Sequence, residues 1–303
     1  MIILFDTDIG LGTPRAELDD GAAIVFLLRA LGDKVAGVTA VHGNASLESA
    51  MNNSRRLLAY LERTDIPLGR GAASGLVEQK EWFAEWEAGY GDTPPWPPAQ
   101  DEPLAANLII DTIRANPGEV VILAVGPLTN LALALRLAPD IVGKVRQIVS
   151  MGGSFGQEDP QPEFNARCDP EAAQAVLNAG WPIQLIGLNI TTQLIFTYDD
   201  FASLPDSNPA LTLLKEQAPG WIDRVVARGW EQDGCALHDA LAVAAVMDPS
   251  LFSWQQTAVT VELCDPERRG ATYLQDTETG HVAVATAVDA VRCRELIWRY
   301  LAA

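Results

Sequence analysis

Residues 5–28, FDTDIGLGTPRAELDDGAAIVFLL, set four aspartates and a glutamate between two apolar runs. Carboxylates this close to an apolar interior are either loop and cap residues or hard-oxygen ligands of a cation. The polar residues that follow the other apolar runs bear on the choice. His42 and Asn44 follow VTAV, a Gly-Pro turn follows VVILAV, Glu163 and Asn165 follow IVSMGG, Asn189 follows IQLIGL, and His238 and Asp239 open a later apolar stretch. This set is rich in Asp, Asn and Glu and poor in Lys, Cys and His. Carboxylates with carbonyls are what Ca²⁺ or Mg²⁺ takes and what Zn²⁺ does not. Amides and carboxylates with free acceptors also suit sugar hydroxyls. The chemistry suggested is that of a polyol or ribose beside a hard cation. Each position alone reads more simply as a cap or turn, so the weight lies in their joint occurrence at the ends of apolar runs.

The elements that must position these residues follow from pattern. MIILF, VAGVTAV, IPLGRG, VVILAV, QIVSM and PIQLIGL are short apolar runs without polar alternation. Segments with a 3.6-residue period separate them, among them DDGAAIVFLLRAL, SLESAMNNSRRLLAYLER and LAANLIIDTIRANP. Apolar strands alternating with helices predict a parallel sheet covered on both faces, and ligands of such sheets bind beyond the carboxyl ends of the strands. Residues 208–230 read as one long helix and HDALAVAAVMDPSLF as another. TAVTVELC, ATYLQ and HVAVATAV read as antiparallel strands before a last helix, AVRCRELIWRYLA. Residues 73–103, rich in Trp, Pro, Gly and Glu, read as a surface excursion with one short helix, of a length that is often functional. The expected fold class is α/β: a Rossmann-like open, mainly parallel sheet with helices on both faces and a C-terminal antiparallel hairpin. Residues 1–303 read as a single domain.

Composition narrows the function. Twenty-one basic residues against 40 acidic ones give a net charge of −19, which argues against nucleic acid and anionic membranes as partners. The four cysteines, Cys168, Cys235, Cys264 and Cys293, are far apart and read as reduced, mostly buried thiols. MIILF reads as a core strand rather than a leader. No apolar run approaches the roughly 20 residues of a membrane span. The expected location is cytoplasmic.

DTDIG…DD, VTAVHGN, AVGPLTNLALAL, IVSMGG, EFNARCDPEAA and HDALAVAA occur in the order seen in nucleoside hydrolases, the inosine-uridine type N-ribohydrolases. The tail RRGATYLQD…HVAVATAVD is similar to that family's C-terminal hairpin, so the resemblance covers essentially the whole chain. It implies Ca²⁺-dependent hydrolysis of the N-glycosidic bond of a ribonucleoside, purine or pyrimidine, in nucleoside salvage, by a homodimer or homotetramer. The implied Ca²⁺ ligands are Asp8, Asp20, the carbonyl of Val125, and Asp239. Asp19 and Asn165 would bind ribose hydroxyls, Glu163 would face the 5′ side, and Asn44 would sit near ribose and metal. Asp6 would be a supporting carboxylate behind them. Asp8 would take the proton of the attacking water. His238, titrating near neutrality, would protonate the departing base. Attack by water would invert the anomeric carbon.

Three departures from the family's pattern carry consequences. Its compact DTDxGxDD is opened here by LGTPRAEL between Gly10 and Asp19, an insert expected to loop outward, with Glu17 as a rival ligand and Arg15 near the cleft. No asparagine occupies one 5′-side position, for which Gln157 is the substitute. Trp82, Trp86, Trp96, Trp221 and Trp230 offer aromatic faces to a nucleobase, Trp230 first among them. Two other readings are weighed. One is a non-catalytic or altered-specificity riboside binder on the same fold. The other is a phosphatase resembling the haloacid dehalogenases, from FDTD, with Asp6 as nucleophile and Asp8 as acid. The latter lacks a lysine at a strand end.

Overall fold

A computed structural model describes residues 1–77, 82–98, 101–275 and 280–303. Nine strands form its central sheet: β1 (Ile2–Thr7), β2 (Val35–Ala40), β3 (Leu68–Arg70), β4 (Val120–Ala124), β5 (Gln147–Met151), β6 (Ile183–Ile186), β9 (Phe252–Val261), β10 (Thr272–Gln275) and β11 (Val282–Val288). Two further strands, β7 (Ile195–Thr197) and β8 (Gly234–Ala236), pair antiparallel beside it. The order across the large sheet is β10-β9-β11-β6-β5-β4-β1-β2-β3. From β6 to β3 all pairs are parallel.

Burial explains the apolar runs. Every residue of β4 is buried, and β1 sends Ile3 and Phe5 to one face and Leu4 to the other. The first face packs against helices Asp19–Leu31, Ala240–Met247 and Ala290–Leu301. The second packs against Ala105–Ala115, Thr129–Leu137 and Pro170–Leu177. Two cores with one sheet between them leave no polar face, hence no alternation in the strands.

The chain runs outward from β1 through β2 to β3, then returns to β4 on the other side of β1. This reversal is the topological switch, where open α/β sheets hold their ligands. Asp6 is in register with Ala124 there, so the segment after β1 and the segment after β4 emerge side by side.

The tail is antiparallel, as expected, and is also joined to the main sheet. β9 pairs antiparallel with β10 and β11, but β11 also pairs parallel with β6. Val282 and Val284 are buried, which ties the tail into the main sheet. The long helix is Pro209–Ala227, and the helix after His238 is shorter than its apolar run, Ala240–Met247, because Asp248-Pro249 starts a 3₁₀ turn. The excursion contains one short helix, Phe83–Glu87; residues 78–81 and 99–100 of it lie outside the described residues.

Candidate active site

Three carboxylates meet at the switch point. Oxygens of Asp19, Asp20 and Asp239 lie within 4.8 Å of one another, and all three residues are buried. Asp19 and Asp20 form the first turn of Asp19–Leu31, and Asp239 precedes Ala240–Met247. Neither helix has a side-chain cap bond at its start; Leu18 occupies the cap position of the first. Glu163, Asp169 and Asn208 do cap their helices through side chains. The choice between cap and ligand therefore falls against capping for Asp19, Asp20 and Asp239.

Asp8 lies next to them. The Asn44 N–H donates to Asp8 Oδ2 at 2.5 Å. A Cβ on Gly43 would stand 1.8 Å from Asp8 Oδ2 and one on Gly126 2.9 Å from Oδ1, so glycine is required at both places for the chain to close around this carboxylate. Asp20 accepts from the Asp8 N–H and the Thr7 hydroxyl, and Asn44 Nδ2 reaches Asp20 Oδ2 at 3.4 Å. Asp19 accepts from the backbone N–H of Asp20 at 3.0 Å and of Asp239. Burial raises the pKa of Asp20 to about 6. Burial first, then the neighbouring carboxylates, push Asp19 and Asp239 well above the usual range. Among the described residues none of these three is in an ion pair. Buried like charges without a counter-charge are costly, and a cation would relieve them. The donors are all oxygen, which suits a hard dication.

Asn165 completes the floor. Its Nδ2 donates to the Val125 carbonyl at 2.8 Å, leaving that oxygen one lone pair, while Asn165 Oδ1 and Asn44 Oδ1 are buried without a hydrogen-bond partner among the described residues. Unsatisfied buried acceptors of this kind fit a site built for a ligand. Glu163 lines the cleft, but its carboxylate accepts the N–H groups of Gly153, Asn165 and Ala166 at 2.8–3.1 Å. It is tied into the helix start it caps.

His238 differs from expectation. Its Nδ1 engages the Thr191 hydroxyl at 2.7 Å, leaving Nε2 available to a bound molecule. Burial lowers its pKa to about 4, so it is a neutral imidazole rather than a group titrating near neutrality. Asn189 is the first amide after β6, but the turn of helix at Leu188–Thr191 presents Thr191, two positions on, to His238, a placement no local pattern marks.

Above the floor opens a cleft of about 710 Å³, large enough for a nucleoside. Trp82, Trp86, Trp221 and Trp230 line it; Trp96 stands apart, against Tyr60 and Arg56. Trp230 is 48% exposed and stacks on Trp86 with centroids 5.3 Å apart, and the Arg228 guanidinium lies 4.8 Å from its ring. The excursion is a wall of the cleft, not surface decoration. Arg224, on Pro209–Ala227, donates to the carbonyls of Trp86 and of Ala88 (2.9 Å) and stacks over Tyr90.

The insert turns inward. Leu11, Ala16 and Leu18 are fully buried, and only Pro14 and Arg15 are exposed. Thr13 N–H donates to Gly10 carbonyl and Ala16 N–H to Thr13 carbonyl, two successive turns. Asn53 Nδ2 donates to Ile9 and Gly10 carbonyls, and Gly12 N–H to Gln217. Gly91 N–H reaches Pro14 carbonyl at 2.9 Å, which joins insert to wall. Glu17 therefore faces the cleft, while Arg15 lies outside it beside Gly89 and Gly220. Gln157 is exposed and does not line the cleft, so it replaces no cleft ligand.

Several residues prove structural. His42 bonds Thr129, which donates to Asp169; His281 bonds the Leu177 carbonyl. Asp6 is buried with Oδ1 held by Thr39 and Asn130, and burial raises its pKa to about 7. An enclosed, hydrogen-bonded carboxylate is no phosphatase nucleophile. Cys168, Cys235 and Cys293 are buried and Cys264 is exposed, none of them in a disulfide among the described residues. Among the described residues no helix is long and apolar enough to cross a membrane.

A reversing parallel sheet with an oxygen-lined, acidic cleft beyond its strand ends is an α/β architecture with a site for a hard cation and a polar ligand. The family model of inosine-uridine preferring nucleoside hydrolases matches residues 3–295, and the chain belongs to that family. It is similar to probable uridine nucleosidase 2 of Oryza sativa subsp. japonica, 34% identical over 86% of this chain and 78% of that one. It is 32% identical to the non-specific ribonucleoside hydrolase RihC of Salmonella agona over 96% of this chain and 94% of that one. The solved structure of a purine-preferring ribonucleoside hydrolase from Gardnerella vaginalis superposes with a TM-score of 0.87 at 26% identity, covering 100% and 98%. The chain is thus an N-ribohydrolase of a metal-dependent family, with an acidic cluster able to hold the metal. The phosphatase reading is set aside, and the non-catalytic reading yields to an enzyme.

Proposed function

We propose that this enzyme hydrolyses ribonucleosides to ribose and free base in a Ca²⁺-dependent reaction. The observation that carries this is the convergence of Asp19, Asp20 and Asp239, buried and in no ion pair among the described residues, beside Asp8 at the sheet's switch point. Asp8, Asp20, Asp239 and the Val125 carbonyl would hold the ion. When bound, it neutralises these carboxylates and makes a water more acidic.

The chain's own groups do the rest. Asp8, fixed by the Asn44 N–H, takes the proton of the attacking water. Asp19, Asn165 and Asn44 accept ribose hydroxyls, orienting the sugar, and the surrounding negative charge favours the oxocarbenium-like transition state. Glu163 shapes the 5′ side through the turn it caps. His238, held at Nδ1 by the Thr191 hydroxyl, turns Nε2 toward the cleft and, in the tautomer with the proton on Nε2, gives a hydrogen bond to the departing base. Trp230, with Trp86, forms an aromatic edge for the base. The chain, read as one domain, would act as a cytoplasmic homo-oligomer in nucleoside salvage, and light scattering tests the assembly.

The test is ribose release from the common ribonucleosides, with Ca²⁺ and after chelation, beside Asp8→Asn. Release lost on chelation and in the variant supports the reading. Release that survives chelation refutes the metal dependence.

A further inference from the structure

One buried arginine belongs to neither the floor nor the lining of the cleft. Arg56, on helix Leu47–Tyr60, is 5% exposed and in no ion pair among the described residues. A buried guanidinium without a carboxylate is costly unless its N–H groups find other acceptors. Here the acceptors are carbonyls of two segments far apart in the chain: Nη1 donates to Gly12 of the insert at 3.1 Å and Nη2 to Pro94 of the wall at 2.5 Å. Gly12 lies close against it, at φ 114°, and a Cβ there would stand 2.8 Å from Nη1 and 2.4 Å from Asn53 Oδ1. The same helix grips both segments at further points. Asn53 Nδ2 donates to Thr13 Oγ1 at 3.1 Å, and the Thr13 and Thr93 hydroxyls meet at 2.6 Å. The Thr93 hydroxyl donates to Ser49 Oγ at 2.9 Å, and the Trp96 N–H to Asn52 Oδ1 at 3.3 Å. None of these residues lines the cleft, whereas Trp82 and Trp86 of the same wall do.

We propose that Arg56 is a positioning residue: by clamping the insert to the wall it sets where Trp82 and Trp86 stand toward the base, without touching substrate. This rests on the function proposed above. Arg224 tethers the wall to Pro209–Ala227 at Trp86 and Ala88. One tether fixes a place but not a tilt; the second, at Pro94 and on another helix, fixes both. A planar fork suits this task, because its two N–H groups hold both carbonyls in one geometry, as the single nitrogen of a lysine does not. A wall ordered before the base arrives need not be ordered at the expense of binding. A nucleoside touches floor and wall, whereas ribose touches the floor alone. Loss of the clamp therefore weakens the nucleoside and spares ribose.

The test compares wild type, Arg56→Met and Arg56→Lys in saturating Ca²⁺, by steady-state kinetics on uridine and adenosine and by inhibition with ribose. In Arg56→Met, KM should rise about tenfold or more with kcat within a few-fold, while the inhibition constant of ribose stays within about twofold. Arg56→Lys keeps the charge without the fork and should fall between Arg56→Met and wild type. An unchanged KM, a loss confined to kcat, or a rise shared by KM and the ribose constant overturns the proposal, the last because it marks general damage to the fold. Hydrogen exchange reads the clamp without substrate. The Gly91 N–H, bonded to the Pro14 carbonyl, should exchange about tenfold faster in Arg56→Met while the amides of β4 stay protected. Equal exchange at Gly91 in variant and wild type overturns the clamp. Wild type that releases ribose from neither nucleoside, with Gly91 behaving as stated, overturns the proposed function and leaves the clamp standing.

Discussion

The floor and the wall of the cleft are built by different means. The floor hangs on the ends of regular elements: β1, β4 and the first turns of two buried helices set Asp8, Val125, Asp19, Asp20 and Asp239. The wall is the stretch 82–98, irregular but for the short helix Phe83–Glu87, held against Pro209–Ala227 by Arg224 guanidinium bonds to backbone carbonyls and joined to the insert at Pro14. Rigid elements carry the groups whose geometry the reaction needs, and loops carry those that touch the variable part of a substrate. Changes in the floor should therefore act on turnover, and changes in the wall on substrate binding.

The sharpest break of this division is Asp8→Asn, which removes the proton acceptor while keeping shape. A drop of about 10²–10⁴-fold in kcat is expected, with KM changed far less. A rise in KM at constant kcat would place Asp8 in binding alone.

The second concerns the floor without metal. Burial holds the Asp20 pKa at about 6, above its ordinary 3.8. In that window the native state keeps a proton that the unfolded chain has released, so stability falls as pH rises. In chelator, the contribution is complete below about pH 4 and is lost as pH climbs through about 6. Added Ca²⁺ should raise the melting temperature at pH 7.5 and leave it nearly unchanged at pH 4. A melting temperature in chelator that climbs from pH 4 to 7 would show that the acidic cluster does not dominate.

The third breaks the wall. Arg224→Ala removes two charge-assisted hydrogen bonds to the excursion, each worth about 1.5–3 kcal/mol. KM should rise about tenfold or more, with a lower melting temperature and kcat within a few-fold of wild type. A variant with normal KM would mean that the wall does not shape the cleft.

The same division governed what could be read in advance. The floor was legible because each of its residues follows an apolar run or opens a helix, so local pattern and the switch-point rule place it. The wall was not, because Arg224 reaches Ala88 across 136 positions and no periodicity encodes such a bond. LGTPRAEL was expected to loop outward, yet its Leu11, Ala16 and Leu18 are core residues. Their spacing fits neither helix nor strand, and only the two turns that hydrogen bonds reveal bring them to one side. The neutral state of His238 depends on burial by several elements, which a single segment does not disclose.

Thr191 stands at the seam of the two regions, and its removal is the finest test of the division. The hydroxyl meets His238 Nδ1 at 2.7 Å and so holds the orientation of the ring. Thr191→Val keeps the volume and removes the bond. One neutral hydrogen bond is worth about 1 kcal/mol, or roughly a fivefold change in rate. If His238 assists departure of the base, the loss falls on kcat for nucleosides and is much smaller for a riboside whose p-nitrophenolate leaves unaided. If His238 merely lines the wall, the loss falls on KM and is alike for both. The expected outcome is the first, because Thr191 acts on a group next to Asp239 in the floor.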